Sequence, residues 1–307
     1  MRPPATTAGA AIVSGIPFVD KEFGPTPPSW YAAARYGGDP VARMRSFEFD
    51  LLMLLLARSV GEPFGWQGQQ GGRLVNNIVP VAGHEHEQSG ASSTALLSPH
   101  TEDAFHPRRA HLLLLGCLRN PDLVGTTVSS VRRVALAAAH QELLSTPVLP
   151  ILPDISYDTS PEKHSAIPVP TLWSMSGVDQ QTIRYDPAYT PLADAEPEFR
   201  AAYRQLTVEL GRVSVTAALA PGEILLVDND IAVHGRVPFT ARYDGADRWL
   251  KRVNIRIPER HRRTAESAEN GYGQHIVAPF AAAGTPPVER ILERDAVPND
   301  RGPVEHS

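Results

Sequence analysis

The chain has 307 residues, 42% of them hydrophobic, a formal net charge of −5 and one cysteine. This is enough apolar material for one large β-rich domain with a real core. The negative balance argues against non-specific nucleic-acid binding, no apolar run reaches the ~18 residues of a membrane helix, and a lone Cys117 excludes an internal disulfide and suits a reducing cytoplasm.

Residues 1–40 read as an N-terminal arm, rich in Pro, Gly and Ala as far as "FGPTPPSW", with one early positive charge and no secretory h-region. "PVARMRSFEFDLLMLLLARSV" (40–60) carries apolar residues at helical spacing and is the best helix of the chain. "EPFGWQGQQGG" (62–72) breaks that pattern and reads as a loop. From residue 73 the segments "RLVNNIVPV", "TALLSPHTEDAF", "HLLLLGCLRN" and "GTTVSSV" are short, apolar and separated by turn-formers, as strands are. Cys117 falls in the third of these and reads as a small core residue. "VRRVALAAAHQELLS" (131–145) returns to helical composition. The proline-rich stretch 146–170 is too irregular for an element and reads as a lid.

"AEPEFRAAYRQLTVELGRVSVTAA" (195–218) is a second amphipathic helix, and "GEILLVDNDIAVHGRVPF" (222–239) and "RWLKRVNIRI" (248–257) are strands around the turn "ARYDGAD". The charged segment 259–307 reads as a mobile tail, with "PERHRRT" a solvated run. Helices framing short strands predict a mainly β fold with flanking helices, a sandwich or barrel with helical padding, in one domain spanning 1–307.

"SPHTEDAF" (98–105) poses the chemical question. On a strand, residues i and i+2 share a face, so His100 and Glu102 project together as half a metal site. His234, at the end of an apolar strand and before a glycine, supplies the third donor. Two histidines and a carboxylate on one face of an octahedral ion leave three positions open, the arrangement of non-haem Fe(II) oxygenases. Zinc hydrolysis uses the same donor types, but the helical H-E-x-x-H signature is absent. Fourteen residues after His234, Arg248 can clamp a carboxylate through two parallel hydrogen bonds, as a dicarboxylate chelating the metal at its other end requires.

"HTEDAFHP" (100–107) followed by "VHGRVPFTARYDGADRWLKR" (233–252) resembles the clavaminate synthase-like 2-oxoglutarate-dependent oxygenases, a group that includes β-hydroxylases of free arginine and asparagine in peptide-antibiotic pathways. The resemblance covers residues 46–257, with "NNIVPV" and "ASSTALL" as further shared features. It implies a double-stranded β-helix (jelly-roll) core, Fe(II), 2-oxoglutarate and O2, and hydroxylation of an unactivated C–H bond at Cβ or Cγ of an amino acid.

By the same resemblance His100, Glu102 and His234 are the iron ligands, and Arg248 pairs with the distal carboxylate of 2-oxoglutarate. Thr126 supports that co-substrate, with Thr127 as the alternative register. Arg252 meets the substrate's α-carboxylate, with Glu102 beside it; Arg248 and Arg252 share a face by alternation. Gln70 contacts the amino-acid head group, Ser89 and Gly90 approach the α-amino group, Asp154 lies in the lid, and Asp186 is the first of two acids that hold a guanidinium. The second acid falls at Ala188. Removing one acceptor leaves donors unpaired at a cost of about 1–3 kcal/mol, so a lysine-type ammonium or a neutral polar side chain fits better than arginine.

The remaining histidines have plainer readings. His84 and His86 are solvent-exposed, His106 and His111 pack or hydrogen-bond, and His140 lies on a helix surface. Asp103 is structural, Trp249 is core, and Asp186 could simply cap a turn. The same cofactors also support desaturation or ring closure, and an inactive jelly-roll binding protein is the alternative from another class. The substrate's identity and the oligomeric state are not legible.

Overall fold

The computed structural model describes residues 2–35, 40–157, 164–174 and 181–280. In chain order these form strand β1 (Ala10–Val13), helices α1 (Trp30–Ala34) and α2 (Pro40–Arg58), and strands β2 (Glu62–Trp66), β3 (Val75–Ile78), β4 (Leu97–His100), β5 (Leu112–Arg119) and β6 (Thr126–Ser130). Helix α3 (Ala138–Ser145), strands β7 (Leu172–Ser174) and β8 (Gln181–Ile183) and helix α4 (Pro197–Arg212) follow. Strands β9 (Val215–Ala217), β10 (Ile224–Asp228), β11 (Ala232–Arg236), β12 (Trp249–Arg256) and β13 (Ile276–Val277) complete the order. The architecture is mainly β, with helices at its flanks.

Two antiparallel sheets carry the molecule. The larger runs β1-β10-β5-β12-β2-β13, with β3 also paired to β12; the smaller runs β4-β11-β6-β9. Strand β5, "LLLLGCLR", is buried on both faces, which is why it reads as a continuous apolar run rather than an alternation. Leu113, Leu115 and Cys117 point toward one core with Val128 of β6 and Ala232 of β11, while Leu112, Leu114 and Leu118 pack against Phe49 and Met53 of α2. A third cluster joins Val233 of the smaller sheet to Leu144 of α3 and Phe199, Tyr203 and Leu206 of α4. The order of layers is therefore α2, larger sheet, inner core, smaller sheet, α3 and α4.

Helix α2 approaches β5 closely because residue 116 has no side chain: a Cβ there would stand 2.8 Å from Met53 Sδ and from Phe49 Cε1. The buried face of α2 also carries Asp50, which pairs with the fully buried Lys251 of β12; Lys251 Nζ donates to Ser46 Oγ as well, at 2.8 Å. Cys117 is a free buried thiol, and burial pushes its pKa up to about 12, as an inert core residue requires. No helix among the described residues is long and apolar enough to cross a membrane.

Several expected elements differ. The N-terminal arm is tied down: β1 pairs with β10, and Arg119 donates to Asp20, Gly24 and Thr26. "EPFGW" is strand β2 rather than loop, since Phe64 and Trp66 fill the inner core despite the neighbouring Pro and Gly. The 131–145 segment is a 3-10 turn at Val131–Arg133 followed by the shorter α3, and the 195–218 segment ends as a helix at Arg212 before β9. The expectation of a loose tail from 259 fails for residues 259–280. Arg260 and Arg262 pair with Asp228 at the end of β10 and Asp230 in the turn after it, Glu266 pairs with the buried Arg109 at 2.8 Å, and β13 adds to β2. Residues 281–307, and 158–163 of the expected lid, lie outside the described residues.

Candidate metal centre

Strands β4 and β11 are neighbours, and their register sets His100 directly opposite His234. Residues so paired have their Cβ atoms about 4.5–5.5 Å apart, and the two imidazole centroids lie 4.6 Å from each other. Gly235 follows because β11 is held between β4 and β6: a Cβ at 235 would strike the Leu97 carbonyl and the Thr127 hydroxyl. His100 Nδ1 lies 2.9 Å from the Ser98 carbonyl, so it carries the proton and leaves Nε2 free as a donor to a metal.

Glu102 does not reach this point by strand alternation. Strand β4 ends at His100, and Glu102 sits in a turn whose next residue, Asp103, has φ +54°. The turn is held from afar. The side-chain amide of Asn229 accepts from Glu102 N at 2.8 Å and donates to Glu102 O at 3.1 Å and to Ala110 O at 2.9 Å. Asp103 accepts from Trp66 Nε1 at 2.6 Å, from Asn254 Nδ2 at 3.0 Å and from the Tyr157 hydroxyl, which confirms a structural part for it. Thr101 ties the other side to Tyr185.

The result is a cluster in which one ligand atom each from His100, Glu102 and His234 lies within 4.8 Å of the others. Glu102 Oε2 is 3.8 Å from His100 Nε2 and 3.3 Å from His234 Nε2. Cis donors on an octahedral ion bound at about 2.1 Å stand roughly 3 Å apart, so the donor set fits a metal with small adjustments. Burial alone would raise the Glu102 pKa, but the charge of Arg252 and the two imidazoles hold the carboxyl well below its usual range. Burial and the charge of His100 push His234 down, toward the neutral form a metal needs. Burial works in the same direction at His100, yet Glu102 and Asp186 outweigh it and hold that ring up at about 9.

Arg248 is buried on the same face as Leu250 and Arg252. Its Nη2 donates to Thr126 Oγ1 at 3.0 Å, and among the described residues its Nε has no partner. Among the described residues it pairs with no carboxylate. Burial and the nearby Arg236 lower its pKa to about 10. A buried guanidinium without a counter-charge is costly, and a carboxylate entering here would meet exactly the missing charge. Arg236, also buried, spends its donors on the carbonyls of Ser92, Ser93 and Ala95.

A cavity of about 340 Å³ joins these groups, within the usual range for small-molecule sites. Gln70, Ser89, Gly90 and Asp154 line it as expected; Asp186 does not. Asp186 Oδ1 accepts from Ala188 N at 3.0 Å and Tyr189 N at 3.3 Å, so it caps a turn, with burial raising its pKa to about 6. Gln70 is committed to both backbone groups of Asn77, at 2.9 Å each. Gln69 lines the same cavity; it accepts from Arg252 Nη2 at 2.7 Å and donates to Ser156 at 3.1 Å. Arg252 further donates to Glu102 Oε1 and to Asn76, at 3.2 Å. Sequence reasoning assigned no role to Gln69, Asn76, Asn229 or Arg236, although Asn76 opens "NNIVPV" and Arg236 lies in "VHGRVPF"; glutamines 69 and 70 are equivalent until their backbone is known. His84 and His86 are exposed, His84 at the cavity rim with Glu87, and His106 and His111 are buried hydrogen-bonding residues, as read.

Known proteins are similar to this chain in sequence and structure. The family model described as taurine catabolism dioxygenase TauD, TfdA family matches residues 51–254. The enduracididine beta-hydroxylase of Streptomyces hygroscopicus is 36% identical over 282 residues, covering 85% of this chain and 80% of that protein. The L-ornithine/L-arginine 3-hydroxylase of Catenulispora acidiphila (strain DSM 44928) is 33% identical over 265 residues, covering 80% and 75%. Among solved structures, the non-heme iron oxygenase OrfP in complex with Fe and alpha-ketoglutaric acid superposes with a TM-score of 0.68 and 39% identity, over 80% of this chain and 74% of that one.

Proposed function

The chain belongs to the TauD/TfdA dioxygenase family, and from that premise we propose that it hydroxylates a free amino acid whose side chain carries a single ammonium group. It is an Fe(II)- and 2-oxoglutarate-dependent oxygenase, like the amino-acid hydroxylases it matches. The observation that carries the assignment to this pocket is the buried, uncompensated Arg248 beside the His100–Glu102–His234 cluster. The facing antiparallel sheets that frame it are read as the double-stranded β-helix of the family.

His100, Glu102 and His234 hold the iron, and Arg248 with Thr126 receives the distal carboxylate of 2-oxoglutarate. When bound, the ferrous ion and 2-oxoglutarate use O2 to supply the oxidant, releasing succinate and CO2. The chain's own part is placement. Arg252, fixed by Gln69 and Asn76, receives the substrate's α-carboxylate, and Glu102 its ammonium. Ser89 and Gly90 close the wall on that side.

The choice of a cationic side chain rests on Asp154. Its carboxylate lines the cavity, one oxygen accepts from Ser156 N at 2.6 Å, and among the described residues it has no ion-pair partner. Burial raises its pKa, and an arriving ammonium would remove that penalty. A guanidinium prefers two planar acceptors, and Asp186, whose Oδ1 serves its own turn, does not line the cavity. Ornithine- or lysine-type substrates therefore precede arginine, with oxidation at Cβ or Cγ.

The test is a screen of free amino acids with Fe(II) and 2-oxoglutarate, scored by succinate. The expected outcome is coupled succinate release with L-ornithine or L-lysine, lower with L-arginine and lower still with L-norvaline. Strict dependence on asparagine or another neutral side chain would remove the substrate assignment.

The Asn229 clamp gives a second expectation. Asn229→Ala unfastens the Glu102 peptide while leaving all three donor side chains in place. Supporting contacts of this kind are worth roughly 10- to 100-fold in metal affinity, so Fe(II) dissociation measured anaerobically is expected to weaken by about that factor. An unchanged affinity would mean that the turn holds itself.

A further inference from the structure

We propose that Trp30, carried by the N-terminal arm, forms the outer wall of the substrate pocket and takes the cationic tip of the side chain on its indole face. The inference rests on the cationic-substrate reading above and adds a residue outside the family match, which begins only at residue 51.

The arm places Trp30 by design of its contacts. Arg119 grips Gly24 O at 2.8 Å and Thr26 Oγ1 at 3.0 Å, and Thr26 N donates to Gly245 O at 2.7 Å. Three residues later Ser29 caps α1, its hydroxyl accepting from Ala32 N at 3.2 Å. Helix α1 then packs on β3 through the buried Ala33. Strand β3 is also the cavity wall that carries Asn76 and Asn77, so the indole arrives over the same opening.

The cavity is graded from a deep end to a wet one. His234, Glu102 and Arg248 are buried, whereas Trp30, His84 and Glu87 line it from the exposed rim. Glu87 is held toward this rim by His84 Nδ1 at 2.8 Å and by the Ser89 hydroxyl at 3.3 Å. An amino acid anchored by its head group at Arg252 brings its side-chain ammonium beside Asp154, with Trp30 as the outer wall of the same cavity. A partly exposed indole lining the same cavity as Glu87 and Asp154 suits a cation, since tryptophan is the best aromatic partner for an ammonium. Of the four tryptophans, Trp30 is 36% exposed, against 1%, 9% and 3% for Trp66, Trp173 and Trp249.

That exposure supplies the test. In the full-length protein with Fe(II) and 2-oxoglutarate under anaerobic conditions, acrylamide quenches mainly the Trp30 emission. L-ornithine is expected to protect it, and L-norvaline, the same chain without the ammonium, to protect it much less. Trp30→Phe removes the quenchable component. Trp30→Ala raises KM for ornithine about 3- to 30-fold, the span of a cation–π contact, with kcat changed little and the affinity for 2-oxoglutarate unchanged. Turnover of ornithine with quenching unaffected by it, or with KM unmoved in Trp30→Ala, would overturn the inference alone. No succinate with any basic amino acid would overturn the substrate reading, and the inference with it.

Discussion

His234→Ala is expected to abolish amino-acid-dependent succinate formation and to weaken Fe(II) binding by more than roughly 100-fold, because even the supporting contacts of a metal ligand are worth 10- to 100-fold. The size follows from the donor count: on the proposed reading three side chains hold the ion, and His234 Nε2 lies 3.3 Å from Glu102 Oε2. His234 is also the cleanest of the three to remove. Taking away Glu102 would strand Arg252, which donates to it from inside the protein, at a cost of about 3–5 kcal/mol in stability. Burial and the charge of His100 lower the His234 pKa, and among the described residues its Nδ1 has no hydrogen-bond partner. The alanine variant is therefore expected to unfold at a denaturant midpoint close to that of the unaltered protein while failing to bind iron in anaerobic equilibrium dialysis. A variant that binds Fe(II) normally, or that loses iron only because it has unfolded, would move the metal away from this cluster.

The donors were legible because their residue types are rare together and their chemistry is narrow. His100, Glu102, His234 and Arg248 needed only a fold that brings three short segments to one place, and the β4–β11 register does so. The route was less legible than the result. Alternation along a strand seemed to pair His100 with Glu102, but the strand stops at His100 and a buried amide 127 positions further on fixes Glu102 instead. No local pattern announces Asn229, since an asparagine between two aspartates reads first as a turn. Gln69 and Gln70 differ only by which way a backbone with φ +48° at Gln70 turns them. Strand β2 was hidden by Pro63 and Gly65, whose effect on propensity is overridden by the burial of Phe64 and Trp66. The 259–280 segment looked solvated because Arg260 and Arg262 meet their acids, Asp228 and Asp230, only when the chain is folded.

Arg248→Met is expected to raise the dissociation constant for 2-oxoglutarate by roughly two to three and a half orders of magnitude, since removing one partner of a buried charge pair costs about 3–5 kcal/mol. The loss should be confined to the co-substrate: Fe(II) binding in its absence is expected to stay within a few fold. Thr126→Val keeps the guanidinium and removes only its orienting acceptor at 3.0 Å, so about a 2- to 13-fold loss is expected, the equivalent of one neutral hydrogen bond. Stability moves the other way. Without ligand, Arg248 is a buried cation with one hydrogen bond, an unpartnered Nε and Arg236 nearby. Methionine fills similar volume without that desolvation cost, so the ligand-free variant is expected to be at least as stable as the unaltered protein in urea. The unaltered protein then gains stability as 2-oxoglutarate and Fe(II) are added, and the variant does not, by mass action. An Arg248→Met protein that binds 2-oxoglutarate normally, or that is markedly destabilised without it, would show that this guanidinium is held for the fold rather than kept waiting for a carboxylate.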